Sequence, residues 1–155
     1  FNYKNIVNNS DLRSNENRFL NSELFINTAF DIKINFQNNV KFNQIQCQSD
    51  RNQKFTNHSF NDTFKIIFKP QKQWFILLSS DYFVPNTNKM NEDYLFFDGS
   101  IKFTPKNKRF EISVIAKNIL NQHNFRQVQT SDYSISVFQT NLIPRYFMLD
   151  ISYNL

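Results

Sequence analysis

Glycine, cysteine and proline are scarce in this sequence. Its 155 residues include one glycine, one cysteine and four prolines. The single cysteine, Cys47, excludes a disulfide within the chain. Together with only two histidines, His58 and His123, it cannot complete a closed zinc site of four Cys and His ligands. Asparagine occurs 24 times, and its tolerance of the left-handed backbone conformation makes it the expected turn residue here.

Long apolar runs and catalytic motifs are missing as well. No segment approaches the ~20 apolar residues of a membrane helix. The start has no methionine, basic region or apolar region of a signal peptide, so Phe1 is expected to be a processed or truncated beginning. No nucleophile, phosphate-loop or metal-protease spacing occurs. We therefore expect no enzymatic activity, no catalytic residues, no metal and no cofactor.

The charge is moderately basic. There are 18 Lys and Arg residues against 13 Asp and Glu, a net charge of +5. The basic residues are spread along the sequence, with the densest run at Lys102–Arg109. Such a distribution is more typical of a solvated face than of a nucleic-acid footprint, and no nucleic-acid partner is expected.

A two-residue alternation dominates the sequence. Apolar residues share one parity in the last segment, at Phe147, Leu149, Ile151, Tyr153 and Leu155. The same pattern occurs in 95–104, 109–117 and 63–69, and across Leu24–Phe36. A helical period of 3.6 would not preserve strict alternation over ten positions. The sequence therefore predicts an all-β chain.

Polar turns and loops separate the predicted strands. Short turns are predicted at Gln37–Asn39, Pro70–Lys72 and Pro105–Lys108, and longer loops at Gln48–Asn57, Pro85–Asp93 and 118–129. This spacing predicts an antiparallel up-and-down meander of about eight strands, with Ser131–Thr140 and Tyr146–Leu155 as the last two. Residues 1–17 are polar and unpatterned, and are predicted to be a lead-in or loop before the strand region of 18–155.

Alternation alone does not say which solvent the apolar face meets. Three features favour part of a transmembrane β-barrel over a soluble sandwich. The strands are about ten residues long, as tilted membrane strands require. The polar face carries many small neutral residues, and aromatics such as Trp74, Tyr82, Tyr94 and Tyr146 lie near strand ends, as in interfacial girdles.

The C-terminal segment carries a family resemblance. It reads DYLFFDGSIKFTPKNKRFEISVIAKNILN, then a polar stretch, then LIPRYFMLDISYNL. An Asn-Ile-Leu-Asn motif (Asn118, Leu120 and Asn121 at its key positions), then Pro144 and Arg145, precede the alternating last strand. In this order the segments resemble the end of a TonB-dependent outer-membrane receptor. The match covers about 40% of the chain; Ile119 and Leu155 stand where the family usually has Leu and Phe.

This resemblance implies an outer-membrane location and import of a small-molecule, peptide or oligosaccharide substrate. It also implies a TonB-type energy-coupling partner acting through a plug absent from this chain. Outer-membrane lipid and the barrel-insertion machinery would be further partners, both meeting Phe147, Leu149, Ile151, Tyr153 and Leu155. In the family the short turns and the C-terminus lie at the same end of the barrel. A count of eight strands would put the short turns and the C-terminus at opposite ends, so the resemblance suggests a miscount of one strand around 122–140.

Several alternatives remain open at this stage. The chain could be a soluble basic β-protein that binds RNA within a large assembly, or a small lipocalin-like barrel with an apolar interior. The loops Gln48–Asn57 and Pro85–Asp93 are the predicted substrate-facing parts. Asn118 and Asn121 are expected to stabilise a turn rather than bind a ligand. Arg145 is expected to pair with a loop carboxylate or to lie among headgroups.

Overall fold

The structure, a computed structural model, describes residues 6–8, 11–13, 15–49, 54–86, 93–107, 109–130 and 135–153. All regular structure within these ranges is β-strand. The described residues contain no helix long and apolar enough to cross a membrane. The all-β prediction is therefore confirmed.

Seven of the strands form one antiparallel sheet. They are β3 (Asn15–Asn27), β4 (Ile34–Ser49), β5 (Lys54–Phe68), β6 (Trp74–Val84), β7 (Tyr94–Phe103), β8 (Phe110–Lys117) and β11 (Tyr146–Tyr153). Their spatial order is β3-β4-β5-β6-β7-β8-β11, so each strand pairs with the next one that belongs to this sheet. This is the antiparallel meander that the sequence predicts.

Two small hairpins stand apart from the main sheet. One joins β1 (Ile6–Asn8) to β2 (Asp11–Arg13), and β3 begins soon after it, inside the segment predicted as a lead-in. The other joins β9 (Asn124–Thr130) to β10 (Ile135–Asn141). The predicted penultimate strand thus belongs to a hairpin inserted between β8 and β11. Residues 131–134 of that predicted strand lie outside the described part of the chain.

This arrangement puts the end of β11 beside the short turns. The connections β3–β4, β5–β6 and β7–β8 span 28–33, 69–73 and 104–109, and all lie at one end of the sheet, here called the turn end. Because β11 pairs directly with β8, it also runs toward the turn end. Placing β9 and β10 outside the sheet resolves the conflict in strand count that the family resemblance raises.

The first predicted strand boundaries are wrong. The segment predicted as one strand, Leu24–Phe36, contains the turn at 28–33, and the predicted turn at Gln37–Asn39 lies inside β4. Thr28 and Asn35 build the actual turn. The Phe30 N–H donates to Asn35 Oδ1 at 2.7 Å, and the Phe36 N–H donates to Thr28 Oγ1 at 2.7 Å. These side chains replace the glycine or proline that a turn usually needs.

Successive strands are staggered relative to one another. Ile34, the first residue of β4, is in register with Phe68, Ile76, Ile101 and Val114 in turn. Val114 is the fifth residue of β8, so the row of cross-strand partners moves about one residue inward at each strand. Stagger of this kind is what tilted strands in a barrel wall require.

Candidate functional site

The two faces of the seven-stranded sheet differ sharply in chemistry. Directly opposed residues share a face, so the registers assign every strand residue to one side. The apolar face carries Leu24, Ile26, Ile34, Phe36, Val40, Phe42, Phe60, Phe64, Ile66, Phe68, Trp74, Ile76, Leu78, Tyr82, Val84, Leu95, Phe97, Ile101, Phe103, Phe110, Ile112, Val114, Phe147, Leu149, Ile151 and Tyr153. Polar residues on the same side lie mostly toward the loop end of β3–β5, opposite the turn end: Glu16, Arg18, Ser22, Gln44, Gln46, Gln48, Lys54, Thr56 and His58.

The apolar face is more exposed to solvent than the opposite face on the middle strands, which is unusual. On β5–β8, every exposed residue belongs to the apolar face, as with Trp74, Leu78 and Val114. Two of the buried residues of these strands, Asn57 and Ser113, lie on the other face. Across β5–β8 the polar face is therefore the more enclosed side, although Val84 on the apolar face is also buried. A water-soluble domain normally hides its large apolar side chains and exposes its polar ones.

Aromatic residues border the apolar face at both ends. At the turn end, the rings of Trp74 and Phe103 lie 4.8 Å apart, and Phe110 is paired with Tyr153. Toward the loop end, the rings of Phe60 and Tyr82 meet edge to face at 6.3 Å. Aromatic residues near both borders of an apolar band are typical of a transmembrane barrel wall; Phe36 and Phe64 also stack within the band.

One polar pair interrupts the apolar face. Asn38 donates a hydrogen bond of 2.6 Å to the Asp62 carboxylate, and Asp62 lies opposite Tyr82 in the register. Both residues occur in the turn half of their strands, on the same side as the apolar band. The contact satisfies part of the carboxylate's hydrogen-bonding capacity, which limits the cost of a charge at this position.

The opposite face, here called the polar face, is linked by ion pairs and hydrogen bonds. Lys117 Nζ lies 2.7 Å from Asp98, Lys102 Nζ lies 2.6 Å from Glu111, and Thr63 donates to Asp81 at 2.6 Å. Each contact joins neighbouring strands. These contacts link the polar face across neighbouring strands, as the lining of a water-containing lumen would require.

Asn118 closes the end of β8 through its backbone and its side chain. Its φ is 51°, and it is buried. Its Nδ2 donates to the Gln122 and Ile143 carbonyl oxygens at 2.8 and 2.9 Å, while its Oδ1 accepts from the Gln122 N–H at 2.8 Å. The side chain thereby fastens the base of the β9–β10 hairpin at both of its ends.

A second asparagine completes the turn. Asn121 has a φ of 58°, and its Oδ1 accepts from the Arg145 N–H at 3.0 Å. The Asn118 N–H donates to Asp98 Oδ1 at 2.8 Å, and the Ile119 N–H donates to the Phe97 carbonyl at 2.8 Å. The turn is thus tied to β7 as well as to the start of β11.

The only glycine in the chain lies close to this turn. A Cβ placed on Gly99 would lie 3.3 Å from Leu78 Cδ2 and 3.8 Å from Ile119 Cδ1. Gly99 is opposed by the small residue Ala116. A side chain at position 99 would therefore press on Leu78, whereas Ile119 would lie at ordinary van der Waals distance from its Cβ.

The structure brings together most of the motif residues that the sequence singles out. Asn118 and Asn121 lie in one turn and make local contacts, as expected of turn residues. Arg145 joins them through its backbone, and its side chain forms no ion pair with the described residues. Leu120 and Pro144 are exposed next to this turn. The site therefore has a structural role. We call the turn of Asn118 and Asn121, with its hydrogen bonds to Asp98, Gln122, Ile143 and Arg145, the clasp.

The predicted last-strand residues share the apolar face. Phe147, Leu149, Ile151 and Tyr153 are 71%, 65%, 64% and 63% exposed, whereas Met148, Asp150 and Ser152 lie on the polar face. Leu155 is outside the described residues. The alternation predicted for this strand is thus confirmed over Tyr146–Tyr153.

The two predicted substrate-facing loops have different outcomes in the structure. Most of Gln48–Asn57 is strand, because β4 extends to Ser49 and β5 begins at Lys54, so this loop prediction is wrong. In Pro85–Asp93, residues 87–92 lie outside the described part of the chain. Gln48 and Asn57 instead lie on strands, and residues 50–53 lie outside the described part of the chain.

Sequence reasoning missed an aromatic cluster at the loop end. The ring of Phe125, on β9, lies 5.8 Å from that of Phe83 and 5.0 Å from that of Tyr94, and Tyr94 stacks on Phe96 at 6.5 Å. The Arg126 N–H donates to Tyr94 Oη at 2.9 Å. These contacts lay the inserted hairpin against β6 and β7. Only knowledge of which strands are neighbours could have revealed them.

Among the described residues, no group of three or more His, Cys, Asp or Glu side chains could hold a metal ion. No protein-family model, no curated protein and no solved structure matches this chain. Its function is therefore inferred from its own residues.

Proposed function

We propose that this chain is part of the wall of an outer-membrane β-barrel that imports a small nutrient ligand. The observation that carries the proposal is the exposure of the apolar face on β5–β8, where the polar face is the more enclosed side. Lipid is the environment in which a continuous apolar outer surface is stable. In water the same surface would far exceed the few hundred Å² that a monomeric protein usually leaves exposed.

Three further features support a barrel wall. Successive strands are staggered by about one residue, aromatic residues border the apolar band, and the polar face is cross-linked by ion pairs such as Lys117–Asp98. The described end of β11 lies at the turn end, in agreement with the family resemblance of Asn118–Asn121 and Arg145. The TonB-dependent character of the import rests on that resemblance.

Fractionation of cells that express the chain tests the membrane proposal. We expect recovery in detergent-solubilised outer membrane, as a species whose gel mobility changes on heating because folded barrels resist dodecyl sulphate. Water-soluble monomer that stays monodisperse without detergent would contradict it. That result would mean that the apolar face encloses an interior, and ligand or RNA binding would become the next test.

Energy coupling needs a separate measurement. We expect uptake of the ligand to stop when the inner-membrane proton gradient is dissipated, whereas ligand binding to intact cells persists. Uptake that continues at the same rate would identify a passive pore and contradict the TonB-dependent part of the proposal.

A further inference from the structure

The net charge of the protein is concentrated in the three short turns. Residues 28–33, 69–73 and 104–109 contain six of the 18 basic residues and one of the 13 acidic residues. The difference, five, equals the net charge of the entire chain. The remaining residues are balanced in charge. Basic residues that look dispersed in the sequence are thus gathered at the turn end by the fold.

Hydrogen bonds between neighbouring turns make this basic surface continuous. The Lys69 N–H donates to the Lys33 carbonyl at 2.7 Å, and the Thr104 N–H donates to the Gln73 carbonyl at 2.9 Å. We define the basic rim as the described cationic residues of the turns: Lys33, Lys69, Lys72, Lys106 and Arg109. All five are exposed, and none forms an ion pair with another described residue.

The basic rim directly adjoins the aromatic border of the apolar face. Lys72 is two residues before Trp74, and Arg109 immediately precedes Phe110. On the apolar face of β6 and β8, the order toward the turn end is therefore aliphatic, aromatic, cationic. Aromatic rings favour the depth of lipid headgroups, and lysine and arginine stems can extend past them to keep their charges in the headgroup layer.

We propose that the basic rim binds anionic phospholipid headgroups in the leaflet where the short turns emerge. This inference rests on the proposed membrane barrel and adds a lipid preference to it. A cation near an anionic bilayer surface gains about a factor of five in partitioning. The interaction acts within roughly a Debye length, so it is expected to weaken as salt is added.

The loop end offers a matched comparison. Lys54 begins β5 and Arg145 precedes β11, so both lie at the end of the sheet away from the rim, and both are exposed. Like Lys33 and Lys72, they form no ion pair with the described residues. Neutralising Lys33 and Lys72 removes two positive charges from the turn end. Neutralising Lys54 and Arg145 removes two from the loop end.

The test is insertion of the 155-residue chain into vesicles of phosphatidylcholine alone or of equal parts phosphatidylcholine and phosphatidylglycerol. The lipid concentration for half-maximal insertion is measured at low and high salt. We expect the unmodified chain to insert into both, with a preference for the anionic vesicles at low salt. The variant Lys33→Gln/Lys72→Gln is expected to lose about 25-fold of that preference, whereas Lys54→Gln/Arg145→Gln retains most of it.

Each other outcome has a distinct meaning. Equal insertion of the unmodified chain into both vesicles would overturn the rim proposal and leave the barrel intact. Equal losses in the two variants would also overturn it, because net charge rather than the rim would then set the preference. No insertion into either vesicle would also overturn the rim proposal for this chain, whereas the fractionation of cells tests the membrane barrel separately. Rim-dependent retention on single-stranded RNA without any lipid preference would assign the rim to a nucleic acid instead.

Discussion

Asn118 contributes to its turn both through a left-handed backbone conformation and through side-chain hydrogen bonds. Its φ of 51° lies in the left-handed region, which asparagine tolerates better than most residues. Its side chain also makes three hydrogen bonds, two to Gln122 and one to Ile143. Glycine would keep the backbone conformation and lose the hydrogen bonds, whereas alanine would lose both. This difference separates the two contributions experimentally.

We expect Asn118→Gly to lower the free energy of unfolding by about 2–3 kcal/mol, because each hydrogen bond contributes on the order of 1 kcal/mol. Asn118→Ala is expected to cost about 1–2 kcal/mol more, the penalty of a left-handed residue with a Cβ. Urea unfolding in detergent micelles measures both. Asn121→Gly is the control, since Asn121 is less buried and its Oδ1 accepts one backbone N–H. Equal effects of Asn118→Gly and Asn121→Gly would contradict the clasp described here.

The asparagine turn could be predicted from the sequence because most of its contacts are local. Asn118 and Asn121 were expected to serve a turn, and their positive φ values and backbone hydrogen bonds agree with that expectation. The contact from Asn118 to Ile143 was not predictable, because it depends on the inserted hairpin returning to the same place. Likewise, no local signal indicated that Ile119 packs over Gly99.

Strand alternation predicted β6, β7, β8 and β11 closely and failed at β3 and β4. The failure has a specific cause: Phe30 and Ile32 continue the apolar parity through the turn at 28–33, so the pattern gives no sign of a break. Conversely, Gln37 and Asn39 resemble turn residues but point to the polar face of β4. A polar run predicts a turn reliably only when strand residues are apolar. In this sheet, polar residues also occupy one face of the strands.

The face assignment of β11 predicts a dependence on position. Leu149 and Ile151 lie on the apolar face, with Leu149 closer to the middle of the band because Tyr153 marks its border. In lipid we expect Leu149→Lys to destabilise the folded chain by about 2–4 kcal/mol, and Ile151→Lys by less, since the cost of a charge falls toward the interface.

Substitutions on the other side of the same strand supply the control. Ser152 lies opposite Glu111 on the polar face, so Ser152→Lys is expected to change stability by less than about 0.5 kcal/mol. Denaturant titrations in lipid vesicles measure all three variants. Similar costs for Leu149→Lys and Ser152→Lys would mean that lipid does not contact the apolar face.

At the scale of the whole molecule, alternation shows which face a residue occupies but not which strand lies beside it. The meander was predictable because short turns force neighbours in sequence to pair. The insertion between β8 and β11 was not, because β9 and β10 alternate like any other strands. The family resemblance suggested a miscounted strand around 122–140, but an even number of strands in that segment satisfies it whether or not they join the sheet.

The seven-stranded sheet is also an open structure in the described part of the chain. β3 and β11 each have one partner strand, β4 and β8 respectively. Free edges expose unpaired backbone groups, which is costly in lipid. A closed barrel of at least eight strands would remove these edges. The sheet is therefore suited to be one arc of a larger wall, whose remaining strands would pair with β3 and β11.

The strand order itself can be tested by cross-linking, in a chain whose own thiol is removed by Cys47→Ser. Leu149 is directly opposite Val114, and opposed residues have Cβ atoms about 4.5–5.5 Å apart, close enough for a disulfide to form with little adjustment. We expect Val114→Cys/Leu149→Cys to cross-link readily under mild oxidation. If β10 paired with β11 instead, a hairpin closed by Asn141 and Tyr146 would place Phe138 opposite Leu149. Preferential cross-linking of Phe138→Cys/Leu149→Cys would therefore contradict the insertion of β9 and β10. β11 would run toward the turn end in either arrangement, because β9 and β10 form an antiparallel pair and add two strands, so only its neighbour strand distinguishes the two.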